Sequence, residues 1–159
     1  MTFEAVAYVD INPGEELTIS YLPLNLLSED RKSSIKKWHF NCTCPVCSSG
    51  AEMEQSDINK LRIQGILDEL RLKDNRTHAG VGALVDELMA ILDTERLQVQ
   101  TGNFASILAG VYFQMEDLAK ARGYAKQAVD NHMYYIGHDN EKVQEALQML
   151  EFLQTIEYR

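Results

Sequence analysis

The sequence predicts an α+β protein, a small β-rich amino-terminal piece with a zinc-binding loop followed by an all-α helical bundle. Three observations predict it. Leu17-Thr18-Ile19-Ser20-Tyr21 alternates apolar and polar residues, the period of a strand with one covered face. All three cysteines, Cys42, Cys44 and Cys47, fall within six positions. Beyond Glu52 the apolar residues recur at helical spacing to the end of the chain.

The β-rich piece rests on two short runs. Residues 3–9 are β-prone, with Val6 and Tyr8, joined by Ala5, marking a half-buried strand. Asn12-Pro13-Gly14 is a turn signal: proline presets one backbone angle and glycine supplies the unusual one. The run ending at Tyr21 follows, and the two could pair as a hairpin, marginal by itself because two strands bury little surface. At Ser28 the character changes. Ser28-Glu29-Asp30-Arg31 offers a serine N-cap and acids in the first turn, so a helix is expected from there to about Trp38. The cysteines then lie in an irregular loop that leaves through Ser48-Ser49-Gly50.

Five stripes define the helical part. Ile63, Ile66, Leu67 and Leu70 share one face, as do Leu84, Val85, Leu88, Ile91 and Leu92. Phe104, Ile107, Leu108, Val111, Tyr112 and Met115 form the cleanest stripe. Leu118, Ala121, Ala125, Ala128 and Val129 form the fourth, and Val143, Ala146, Leu147, Leu150 and Leu153 the fifth. The stretch from Asn75 to Gly82, with two glycines, separates the first two helices, while Gly102-Asn103 and Gly137-His138 punctuate later ones. Short connections imply antiparallel neighbours in a bundle or solenoid. Leu108, Tyr112, Ala121 and Ala128 fall at tetratricopeptide (TPR) spacing, with Ala109 where that repeat prefers glycine and Met133 in place of its late proline. The predicted division is residues 1–27, 28–50 and 51–159, the last a TPR-like helical domain.

Charge narrows the function classes. The net charge is −9. An acidic surface repels nucleic acid and anionic lipid alike, so neither is expected as a direct partner. Residues 51–159 carry eighteen acids against eleven bases, which would draw a basic protein partner such as a lysine-rich tail, although acidic helices are also simply soluble helices. No run approaches the roughly eighteen apolar residues of a membrane span, and Met1 to Ile11 lacks the layout of a signal peptide. Three tightly spaced cysteines suit an intracellular metal site better than a disulfide framework, so a cytoplasmic or nuclear protein is expected.

The chemistry concentrates in Cys42-x-Cys44-x2-Cys47. Zinc takes four soft ligands in a tetrahedron, and thiolates at short spacing can wrap one face of it. The bland alternative is three buried or free thiols. A structural zinc also needs a fourth ligand, and the sequence holds no fourth cysteine. His39 is near in sequence, while His78, His132 and His138 lie on the helical part as surface or cap residues.

The Gly14-Glu15-Glu16-Leu17-Thr18 run, the tyrosine four residues after Leu17, the Ser-Glu-Asp-Arg helix start and Phe40-x-Cys42-x-Cys44-x2-Cys47 together resemble the carboxyl-terminal half of a SET domain and its post-SET zinc segment. The resemblance is to the SET-and-MYND type of protein-lysine methyltransferase and covers about residues 3–48, with the helical tail agreeing loosely. It implies S-adenosylmethionine as methyl donor and zinc as structural metal. Tyr21 matches the active-site tyrosine that orients the substrate amine, Phe40 the aromatic stacked on the cofactor's adenine, and Trp38 an aromatic walling the substrate channel. For Tyr21 and Trp38, ordinary packing is the competing reading. In that family the fourth zinc thiolate comes from an Asn-His-Ser-Cys segment upstream, which this sequence does not contain. Nor does it contain the family's glycine-rich cofactor segment or its MYND finger. The expectation is the carboxyl-terminal portion of a longer methyltransferase, inactive as an isolated chain, or else a non-catalytic protein-interaction module. A zinc-ribbon nucleic-acid binder is disfavoured by the acidic balance.

Overall fold

The computed structural model describes residues 6–8, 10–72 and 76–156. Among these, every regular element is helical: α1 (Ser28–Ile35), α2 (Pro45–Ser48), α3 (Gly50–Arg71), α4 (His78–Thr94), α5 (Thr101–Gln114), α6 (Leu118–Ile136) and α7 (Glu141–Thr155), with single 3-10 turns at Lys36–Trp38 and Gln98–Gln100. No strand forms among the described residues, which overturns the β-rich amino-terminal piece and with it the α+β class. The physical reason is the lack of a partner strand among the described residues. A strand needs its N–H and C=O groups paired across a ladder, and residues 10–27 run through turns, bends and irregular backbone with no ladder. The alternation is present but most of its apolar side stays open: Leu17 and Ile19 are 75% and 76% exposed. Of the strand expected over residues 3–9, residues 6–8 are irregular. Residues 3–5 and 9, Ala5 included, lie outside the described residues. The Asn12-Pro13-Gly14 turn does form, with Gly14 at φ +87° and the Glu15 N–H donating to Asn12 O at 3.0 Å.

The five helices expected from the stripes are all present as α3 to α7. The chain divides into two compact units, one of residues 12–95 and one of residues 96–159 together with the amino-terminal residues up to Ile11. In the unit from Asn12 to Glu95, α3 opens on Ser49, whose hydroxyl accepts the Glu52 N–H at 3.3 Å, and buries Ile63, Ile66 and Leu70. α4 starts earlier than its glycines suggest. Thr77 accepts the Gly80 N–H at 3.0 Å as an N-cap side chain, so Gly80 and Gly82 fall inside the helix, and Val81, Val85, Leu88 and Leu92 are buried. Arg62 of α3 joins α4 through Glu87, at 2.6 Å.

The second unit is built on α5, α6 and α7. Ala105 of α5, Ala128 and Val129 of α6 and Ala146 of α7 form its core, with Tyr124, Met133, Leu147 and Leu150 packed around them. Small residues at these positions let the helix axes approach closely. Tyr112 stacks on Tyr124 with centroids 5.4 Å apart and planes 4° from parallel. Arg122 closes the end of α7, donating to the carbonyls of Leu153 at 2.9 Å and Ile156 at 2.5 Å, groups that a helix end leaves without internal partners. Gly137 ends α6 at φ +79°. Gly102, read from sequence as a break, lies in the first turn of α5. Among the described residues no helix is long and apolar enough to cross a membrane.

Candidate functional site

α1 begins at Ser28, but Ser28 is not its capping side chain. Its N–H and hydroxyl both donate to Asp57 of α3, at 2.8 Å and 2.5 Å. A carboxylate at a helix N-terminus is favoured by the unsatisfied N–H groups there. Lys60, one turn further along α3, is 9% exposed and donates to Leu26 O at 3.2 Å. Burial first, and then the like charge of Arg31, push its ammonium pKa down. Ser56 and Asn59 donate to Glu95 at 2.6 Å and 2.7 Å. This polar layer fixes the segment that leads into the cysteine loop against α3. Sequence reading missed it, although a signal was there: Ser56 and Lys60 continue the buried Ile63–Ile66–Leu70 stripe backward in helical register.

The cysteine loop is more ordered than expected. Cys44 immediately precedes α2, where Pro45 occupies the first turn, a position in which proline's missing N–H costs nothing. The Ser48 N–H donates to Cys44 O at 3.0 Å, and the Ser48 hydroxyl donates to Thr43 O at 2.9 Å, folding the loop on itself. The three sulfurs consequently lie within 4.8 Å of one another, each partly buried. In a tetrahedral site with zinc–sulfur bonds of about 2.3 Å, the sulfurs stand roughly 3.8 Å apart. The loop is therefore within about 1 Å of that arrangement and its donor set fits zinc. Electrostatics divide the thiols. Burial opposes ionisation of Cys44, but the Cys47 N–H and hydrogen bonds with Cys42 and Cys47 outweigh it and hold that thiol below its ordinary value. Burial, and hydrogen bonds with Cys44 and Cys42, push Cys47 up to about 11. Arg31 of α1 works the other way on both, favouring the thiolates. Among the described residues no fourth donor joins the group, and His39, His78, His132 and His138 stand outside it.

Beside the loop in sequence, the structure brings Tyr21, Trp38 and Phe40 together. The Tyr21 and Trp38 ring centroids are 5.1 Å apart and tilted by 55°, those of Tyr21 and Phe40 5.5 Å apart at 67°. His39 makes this possible. It takes the left-handed conformation at φ 58° while its N–H donates to Lys36 O, an unusual state for a residue with a Cβ. That reversal brings the rings on either side of it to the same tyrosine. All three rings remain open, Tyr21 at 48%, Trp38 at 47% and Phe40 at 41% exposure.

The chain is 28% identical over 165 residues to histone-lysine N-methyltransferase Smyd1 of Mus musculus, an alignment covering 90% of this chain and 33% of that protein. It is 29% identical over 155 residues to histone-lysine N-methyltransferase SMYD1 of Homo sapiens, covering 84% of this chain and 31% of that protein. The chain thus spans about a third of the length of the curated relatives it matches. No protein-family model matches it, and no solved structure matches it at a significant level. The similarity supports a relationship to the SET-and-MYND methyltransferases.

Proposed function

We propose that this chain is the carboxyl-terminal portion of a SET-type, S-adenosylmethionine-dependent protein-lysine N-methyltransferase. Its cysteine loop holds zinc, and its aromatic cluster faces the cofactor and the substrate lysine. The observation that carries the reading is the convergence of the three thiols to within 4.8 Å. S-adenosylmethionine, when bound, supplies a methyl group on a positively charged sulfur. The residues of this chain would do the positioning. Tyr21 would orient the lysine amine with its hydroxyl, Phe40 would offer a ring face to the adenine, and Trp38 would wall the channel. Holding reactants in line supplies much of the rate in such transfers. Cys42, Cys44 and Cys47 would hold zinc in a structural role that keeps the loop folded. Because the chain spans about a third of its relatives, the reading expects no methyl transfer from the isolated chain.

Two measurements on the purified chain test this. Metal analysis should find about one zinc per chain, and a metal-free protein would overturn the zinc assignment. Calorimetric titration with S-adenosylmethionine should show no micromolar binding. Binding at that level would place a complete cofactor pocket within these residues.

A second reading, a non-catalytic protein-interaction module, is favoured by the helical part. α5, α6 and α7 close a core of their own, and residues 51–159 carry eighteen acids against eleven bases. Its partner would be a lysine-rich protein of the cytoplasm or nucleus. Binding of a lysine-rich peptide that weakens steeply with salt would support it; unchanged affinity between low and high salt would not.

A further inference from the structure

One cation already lies on the aromatic cluster. The Lys37 ammonium stands over the Trp38 ring, 5.4 Å from its centroid. Both residues belong to the 3-10 turn Lys36–Trp38, and no ion pair to a carboxylate is found for Lys37 among the described residues. A ring face attracts a cation within about 6 Å because its quadrupole is negative there. Trp38 is the ring with the strongest such attraction, and Tyr21 packs against it at 5.1 Å. All three rings are about half exposed, so an external cation can reach them.

We propose that Lys37 is an internal competitor for the cation-accepting face of the Tyr21–Trp38–Phe40 cluster, so that an external alkylammonium group binds there only by displacing the Lys37 ammonium. The inference rests on the reading of that cluster as the ligand-facing end of the site. It does not depend on zinc or on methyl transfer. Its chemistry follows from position. Lys37 precedes Trp38 in the same tight turn, so its side chain is tethered close to the ring at high local concentration, while four rotatable bonds let it swing clear. An incoming methylated ammonium, larger and less strongly hydrated than a lysine head group, gives up less water to sit on the ring. A lysine ammonium is thus a weak occupant that a methylated ammonium can replace.

The chain contains a single tryptophan, so Trp38 fluorescence reads this site alone. The experiment titrates the full chain and a Lys37→Met variant with tetramethylammonium chloride, with sodium chloride at equal ionic strength as the control. The expected result is a saturable change in Trp38 emission in both proteins, absent with sodium chloride. Its midpoint should be about two- to fivefold lower in Lys37→Met, the size of one exposed cation–ring contact. Lys37→Arg, which keeps the cation, should restore the original midpoint. Equal midpoints in all three proteins would overturn the competitor role. A response no different from sodium chloride in Lys37→Met would overturn the cation site itself. Lys37 lies on a 3-10 turn without buried residues, so the variants leave the core untouched, and circular dichroism checks the fold. The zinc assignment stands or falls separately, on metal content, whatever the fluorescence shows.

Discussion

The Gly102 N–H donates to Asn131 Oδ1 at 2.8 Å, and a Cβ added at residue 102 would stand 2.7 Å from that same oxygen and from two atoms of the His132 ring. Glycine inside a helix ordinarily costs stability relative to alanine. Here the sign reverses, because the backbone of α5 rests directly on two side chains of α6. Asn131 is held in turn by donating to Gln98 O at 3.1 Å, so it has little room to retreat. Gly102→Ala should lower stability by about 1–3 kcal/mol, the usual cost of forcing extra atoms into a packed contact. Thermal or urea denaturation measures it, and an unchanged or raised midpoint would show that the contact relaxes freely.

The same contact contains a pH-sensitive group. His132 is buried, and burial first, then the Lys142 ammonium, lower its pKa, while Glu145 opposes them. A histidine kept neutral by the fold binds its proton more readily when unfolded. The unfolded chain therefore takes up more protons near the ordinary histidine value, and stability rises with pH there. It is fully present above the unfolded value of about 6.5 and is lost below it, as pH falls through the lowered pKa of the folded protein. Urea midpoints should decrease from pH 7.5 to pH 5.5, and His132→Gln should flatten part of that slope. An identical slope in the variant would remove His132 as the cause.

The polar layer over α3 links stability to the cysteine loop. Asp57 is the acceptor for both the N–H and the hydroxyl of Ser28, and α1 carries the Arg31 charge that favours thiolates at Cys44 and Cys47. Asp57→Ala leaves two donors without their partner, at a cost of about 1–3 kcal/mol. It also frees the start of α1. With Arg31 less firmly placed, the thiols should hold their protons to higher pH, so half-release of zinc should move to higher pH than in the unaltered chain. A lower midpoint in urea with an unmoved zinc-release pH would separate the two roles.

How much of this could be read from sequence depends on where each pattern finds its partner. The α5 stripe was legible because its partners, α6 and α7, follow directly in the chain: Phe104, Leu108, Val111 and Tyr112 are all buried, as are Ala121, Ala128 and Val143. The alternation of Leu17, Ile19 and Tyr21 was equally clear, yet it states only that a strand would have one apolar face. Whether a strand forms depends on a neighbouring backbone, and the described residues supply none. Ser28 failed for a related reason. Its type suits a cap, but a carboxylate twenty-nine positions away, Asp57, takes both of its hydrogens. Cys42, Cys44 and Cys47 were legible as a cluster because their spacing is local, whereas Arg31 and Lys60 were not, since only the fold brings them near. Tyr21 meeting Trp38 and Phe40 depends on the left-handed turn at His39, which nothing in the residue types announces.

Cys44 is the member of the thiol cluster whose removal should be most costly for metal. It stands at the entry to α2, its pKa lies below the ordinary thiol value, and it is hydrogen-bonded to both other cysteines. Zinc binds the thiolate, so a thiol held below its ordinary pKa anchors the metal to lower pH. Cys44→Ala leaves two thiols on a short loop, too few to hold zinc tightly. Zinc content should fall from about one per chain to near none, and cobalt loaded in its place should lose its thiolate charge-transfer absorption. The helices from α3 onward have cores made of apolar side chains, so their circular dichroism should persist when a chelator strips the metal. Full zinc retained in Cys44→Ala would mean that the metal sits elsewhere, and collapse of helicity on chelation would mean that the loop holds far more of the fold than residues 42–48.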